Sequence, residues 1–217
     1  MSSLNNKKDP KVIAGPYILF DGSITAEFLQ DDELDATFLI RMTITGSHPL
    51  VKQGKSHPIS PPLHLHFDQV ETFKVLQGKW GLTAGYDTQD VILTPSNEPY
   101  TVPPWLPHFP WPVPMEEDSI ILAWGHPSNV PKPMDVPFFD QIFMYTGQCF
   151  EEKRQPNLLQ MMLSQTETNS TMVIFPGWTF LGPLRWWIPW RLQGALANVA
   201  KLCGFSTMYM PKYSKKE

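Results

Sequence analysis

The stretch PPLHLHFDQVETFKVLQG (61–78) decides how this chain is read, because it sets two histidines two residues apart in a strand-like run. On a strand, residues i and i+2 share a face, so His64 and His66 can grip one ion together. Glu71 lies five residues beyond His66, and a turn or bulge is needed to bring its carboxylate back to that face. A second stretch, VPPWLPHFPWP (102–112), offers His108, which must return from a distant strand. Three imidazoles and one carboxylate suit a first-row divalent cation, and four protein ligands leave positions open on a six-coordinate ion.

Outward from this centre the chain reads as short strands. PYILF (16–20) and ITAEFL (24–29) flank the turn DGS, and ATFLIRMTIT (36–45) alternates so that Phe38, Ile40, Met42 and Ile44 share one face. Residues 46–62, rich in Pro, Gly and Ser, read as a loop leading into the histidine strand. HLHF, VETFKVL, KWGLTAGY, DVILT, YTVPP and DSIILAW follow, punctuated by Gly, Pro, Asp and Asn. Many short strands at such spacing predict an all-β sandwich or barrel.

The two motifs resemble those of the cupin superfamily. The first family pattern is G-x5-H-x-H-x3/4-E-x6-G, and His64, His66, Glu71 and Gly78 fall in place. The second is G-x5-P-x-G-x2-H-x3-N, and Pro103 and His108 hold their positions. Departures are confined to the frame: Pro58 and Asn97 stand at the opening glycines, Trp105 at the internal glycine and Pro112 at the terminal asparagine. Asn tolerates a left-handed backbone, so Asn97 is a mild change, whereas Trp105 implies a loop rebuilt with an aromatic wall. The resemblance implies a double-stranded β-helix (jelly-roll barrel) over residues 16–147, holding one divalent transition metal through His64, His66, Glu71 and His108. It also implies an enzyme more often than not, and barrels that pair through their sheets as a homodimer.

Composition excludes several classes. A net charge of −4, with no basic stripe before the last few residues, argues against nucleic-acid binding. Two cysteines, Cys149 and Cys203, are too few for a disulfide framework and read as free thiols. The start MSSLNNKKDPKV lacks an apolar core, so no secretory signal is apparent, and an intracellular, cytoplasmic setting is expected. Residues 1–15 read as a flexible leader.

Residues 148–217 read as a mostly helical, Trp-rich extension. NLLQMMLSQ (157–165) has helical spacing, while the stretch from Phe138 to Arg154 is left open between a last strand and a helix. Pro189 can start a further helix that Gly204 ends, with Leu192, Leu196, Val199 and Cys203 as its apolar stripe. Pro176, Gly182, Pro183, Pro189 and two arginines interrupt 171–205, so it lacks the roughly 20 continuous apolar residues of a spanning helix. Two readings stay open: a cap on the barrel or in a dimer interface, or peripheral membrane contact through Trp178, Trp186, Trp187 and Trp190 beside Arg185 and Arg191.

Phe73, Trp80, Trp105, Phe109 and Trp111 crowd the motif ends and predict a pocket for a hydrophobic small molecule. His48, His57 and His126 read as ordinary packed or surface histidines. No general base announces itself: Asp68, Gln69, Lys74, Asp90, Glu98 and Glu117 are near in sequence only, and none is assigned. The chemistry expected is a metal-dependent oxygenase or dioxygenase in small-molecule biosynthesis, with iron first among Fe, Mn, Ni, Cu and Zn. A non-redox isomerase, cyclase or dehydratase using the metal as Lewis acid is the alternative, and a non-catalytic small-ligand-binding barrel the other.

Overall fold

Among the described residues, eleven strands build two antiparallel sheets, and the chain crosses between them repeatedly around the histidine motif. The computed structural model describes residues 10–207. In chain order the strands are β1 (Lys11–Leu19), β2 (Ile24–Gln30), β3 (Phe38–Ile44), β4 (His64–His66), β5 (Val70–Gln77) and β6 (Trp80–Ala84). They continue as β7 (Gln89–Leu93), β8 (Tyr100–Val102), β9 (His108–Pro112), β10 (Ser119–His126) and β11 (Ser170–Met172). One sheet runs β1-β2-β3-β10-β5-β8 and the other β11-β4-β9-β6-β7. Between β4 and β10 the chain passes back and forth from sheet to sheet, which is the double-stranded β-helix of the cupin fold.

Alternation sets the core. Phe38, Ile40, Met42 and Ile44 of β3 are all buried, as their spacing predicts, and pack with Ile24, Ala26, Phe28, Phe73, Val75 and Ile121. On the outer face of the same strands, Arg41 sits opposite Glu27 in register and pairs with it at 2.7 Å. Gly78 has φ +73°, and a Cβ there would meet Ser119 Oγ at 2.2 Å, so only glycine closes this turn.

Some boundaries differ from the sequence reading. β1 begins at Lys11 rather than Pro16, because Lys11 and Val12 join β2 through backbone pairing while their side chains stay exposed. Such pairing leaves no hydrophobic signature. β9 is a strand despite Pro110 and Pro112; β4 pairs with it only at His108, so the prolines interrupt no ladder on that side.

Among the described residues, three α-helices follow. The open stretch after Pro137 is helix α1 (Val136–Glu151), started by Asp135, whose carboxylate accepts the Phe138 N–H. Phe139 and Phe143 of α1 pack on Phe38 and Phe28, so a boundary at 147 falls within a helix docked on the barrel. Helix α2 (Leu158–Gln165) is capped by Asn157, and α3 (Leu184–Leu202) packs against it. α3 starts five residues before Pro189, following Pro183, and runs through Pro189, whose ring is buried. Most of its expected stripe is turned outward: Leu192, Val199 and Cys203 are exposed and Leu196 is half-buried, while Gln193, Ala197 and Ala200 face inward. Small side chains let the helix sit close against Leu163 of α2, and the larger residues are left outside.

Candidate metal centre

His64, His66, Glu71 and His108 converge inside the barrel, their ligand atoms all within 4.8 Å of one another. Strand geometry explains how. His64 and His66 share the inner face of β4, and His64 lies directly across from His108 in β9. Ala84 of β6 is opposite His108 on its other side, and its short side chain leaves room for the ring. Glu71 stands on β5, in the facing sheet, reached through the turn Phe67–Gln69. Its Oε2 is 2.9 Å from His108 Nε2 and 3.8 Å from His66 Nε2.

Backbone carbonyls orient two of the rings. His64 Nδ1 lies 2.9 Å from the Pro62 carbonyl and His108 Nδ1 3.0 Å from the Leu106 carbonyl. Donation of Nδ1–H to these oxygens leaves the Nε2 lone pairs free for a cation. His66 is fully enclosed, and neither ring nitrogen has a hydrogen-bond partner. An orphaned imidazole beside three further ligand groups is what a metal would satisfy, since ligands about 2.0–2.2 Å from an ion lie roughly 3–4 Å apart. The residues therefore fit a resident divalent metal.

The electrostatics agree. Burial pushes the Glu71 carboxyl up, but the adjacent His108 and His66 rings outweigh it and hold the group below the usual carboxylate range. Burial lowers His64 well below an ordinary histidine, and the neighbouring imidazoles lower it further. Burial also lowers His66 against the pull of Glu71. Glu71 is thus favoured as the anion and His64 and His66 as neutral rings, the forms that ligate a metal.

The five aromatic residues expected around the site separate. Phe73 is buried on the Glu71 face of β5. Trp80 is also in the core, but four residues along β6 from Ala84, roughly 13 Å toward the other end. Phe109 and Trp111 point to the opposite face of β9 from His108. There Trp111 covers Gly81 and donates to Thr83 Oγ1, and Lys55 lies over both rings. One-residue alternation on β9 is the reason. Trp105 sits at the rim, its N–H bonded to the His66 carbonyl and its ring 4.8 Å from Phe67 and 4.9 Å from Trp186.

Other sequence neighbours are structurally occupied. Gln69 ties Thr37, Pro127 and Met134 together, Lys74 donates to the Asn97 carbonyl, and Asp90 accepts from Lys55 and Thr83. Asp68 accepts from Asn169 through one oxygen, while its other, buried oxygen has no hydrogen-bond partner. His57 is a satisfied core histidine bonded to Ser23.

Two contributions escaped the sequence. β11 pairs with β4 so that Ser170 and Met172 flank His66 and His64 on the same face. Trp186 and Trp190, four apart on α3, close on Phe67 at the rim, and Arg185 lies 3.8 Å over Tyr86 in the turn after β6. The helical spacing of the two tryptophans was the available signal. Two surface recesses, one beside the β1–β2 turn and α1 and one beside α3, stay clear of the four ligands.

No family model matches the chain. It is 30% identical over 196 residues to the probable oxidoreductase virH of Hypocrea virens, covering 90% of this chain and 83% of virH. It is 32% identical over 169 residues to the oxidoreductase iacF of Pestalotiopsis fici, covering 77% of this chain and 78% of iacF. Among solved structures it is similar to the polyketide cyclase RemF of Streptomyces resistomycificus at 20% identity. That alignment covers 60% of this chain and 82% of RemF, with a TM-score of 0.37.

Proposed function

The chain belongs to the oxidoreductase family of virH and iacF, and from that premise we propose that it is a metal-dependent oxygenase, of dioxygenase type, acting on an apolar or aromatic small molecule. The observation that carries this reading is the enclosed His66, with both nitrogens unpartnered, beside His64, His108 and an ionised Glu71. A divalent transition metal held there, iron first, would supply Lewis acidity and redox chemistry with O2.

The chain's own groups define the rest. Glu71 contributes one negative charge and the rings none, so a bound dication keeps a net charge near +1 that favours an enolate or phenolate oxygen. Carbonyls of Pro62 and Leu106 hold His64 and His108 in one tautomer, which fixes the direction of both lone pairs. Phe73 and Val102 beside Glu71, and Met172 beside His64, give walls that exclude water and receive an apolar ring. Trp105 and Phe67 form the aromatic rim over which such a substrate enters.

Elemental analysis and oxygen dependence test this directly. Gently purified protein is expected to carry about one iron per chain, and His64→Ala/His108→Ala to lose it; stoichiometric metal retained in that double variant overturns the site. Turnover of phenolic or polyketide-like compounds is expected to stop without O2. Undiminished anaerobic turnover removes the oxygenase and leaves a Lewis-acid isomerase, cyclase or dehydratase.

A further inference from the structure

Helix α3 is built inside out. Its inward side is Pro189, Gln193, Ala197 and Ala200, whereas Leu184, Trp187, Ile188, Leu192, Val199 and Leu202 are all exposed. Spacings of three, four and seven residues, running on from Leu184, put the exposed set along one face of the helix. Just before it, Phe175, Trp178 and Phe180 stack in series, Trp178 being 53% and Phe180 81% exposed. An apolar stripe of this extent on a helix surface calls for a partner.

Charge identifies the partner. From residue 168 to 207 the sequence holds Arg185, Arg191 and Lys201 and no acidic residue, in a protein of net charge −4. Arg191 and Lys201 are exposed beside the stripe, and the Arg191 guanidinium lies over the rings of Trp187 and Trp190. A second copy packed face to face would bring these cations together with no acid in the segment to pair with them. An anionic lipid surface offers the complementary charge, with tryptophan and arginine at the headgroup level and leucine and isoleucine below.

We propose that α3, with the stacked rings before it, docks the protein on the surface of an anionic membrane, lying in the interfacial plane. Among the described residues no helix is long and apolar enough to cross a membrane, which fits a helix that lies on the bilayer rather than through it. Trp186, next to the exposed Trp187, packs on Trp105, so a docked helix sets the rim of the metal centre beside the lipid. A route for apolar substrate from the bilayer to that rim rests on the function proposed above; the docking itself does not.

The test is co-sedimentation of the full chain with vesicles of phosphatidylcholine, with and without about one-third phosphatidylserine. Wild type is expected to bind the anionic vesicles, with a blue-shifted tryptophan emission, and to release severalfold as salt rises. Ile188→Asp/Leu192→Asp should lose about tenfold or more in partitioning. Arg191→Glu/Lys201→Glu should lose about fivefold or more for each cation, on anionic vesicles only. All four side chains are exposed, so unchanged melting temperatures verify folding. Wild type left in the supernatant with both vesicle types overturns the proposal. So does a dimer in the absence of lipid that Ile188→Asp/Leu192→Asp converts to monomer, which would assign the stripe to a second copy.

Discussion

Trp105 adopts φ 70°, a left-handed conformation that costs a bulky residue about 1–2 kcal/mol and falls where the cupin motif carries glycine. What holds it is visible: its N–H bonds to the His66 carbonyl, and its ring is wedged between Phe67 and Trp186, leaving the residue 48% exposed. Covering half a tryptophan contributes roughly 2–3 kcal/mol, so the ring contacts outweigh the strain. Trp105→Gly is therefore expected to lower stability by about 1 kcal/mol, because relief of strain offsets part of the lost packing. Trp105→Ala keeps the strain and should fall about 1 kcal/mol further in a urea titration. A glycine variant more stable than wild type would show that strain dominates. Asn97, at another glycine position of the motif, solves its turn differently: its side-chain oxygen accepts from the Thr94 N–H and hydroxyl.

At the scale of elements, the region after residue 147 is not an appendage to the site. β11 adds to the open edge of β4, and the Gln193 amide of α3 donates to the Ser170 carbonyl from a buried position. Removing that donor leaves a buried carbonyl unsatisfied, at about 1–3 kcal/mol. Gln193→Ala is expected to lower stability by that amount and to weaken metal binding severalfold, because β4 loses its support on one side. Denaturant melts and metal titration of the same variant check both; unchanged metal affinity would mean that β9 alone positions β4. Little of this was legible beforehand. A three-residue strand has no period to recognise, and β9 hides behind two prolines that sequence rules count against a strand. β3, by contrast, was legible because Phe38, Ile40, Met42 and Ile44 recur at every second position on its buried face.

For the whole molecule, His57 is a built-in pH sensitivity separate from the candidate metal centre. Ile59 N–H donates to its Nδ1, so Nε2 carries the proton and donates to Ser23 Oγ. Burial, with the nearby charge of His48, pushes its pKa down to about 4. Between about pH 6.5 and 4 the unfolded chain binds a proton that the folded chain refuses. The His57 contribution to stability is thus nearly full above about pH 6.5 and is lost, on the order of 3 kcal/mol, as the pH drops to 4. His57→Gln is expected to start lower at pH 7 and to show a shallower loss across that window in urea midpoints; an unchanged slope would place the titration elsewhere.

Taken alone, the sequence picked out the four residues that converge in the barrel and the sheet-rich architecture, because both rest on strand parity and on spacings within two short stretches. It also placed Trp105 at the one glycine position of the motif where a side chain alters the mouth. The tertiary structure decided which aromatic rings face the histidines, which strand braces them and which face of α3 meets solvent. Those outcomes depend on what docks against each element. A helix with leucines on one side and alanines on the other does not announce which side turns inward; here the tight seat against α2 and β11 accepts the small side, and the large residues face outward.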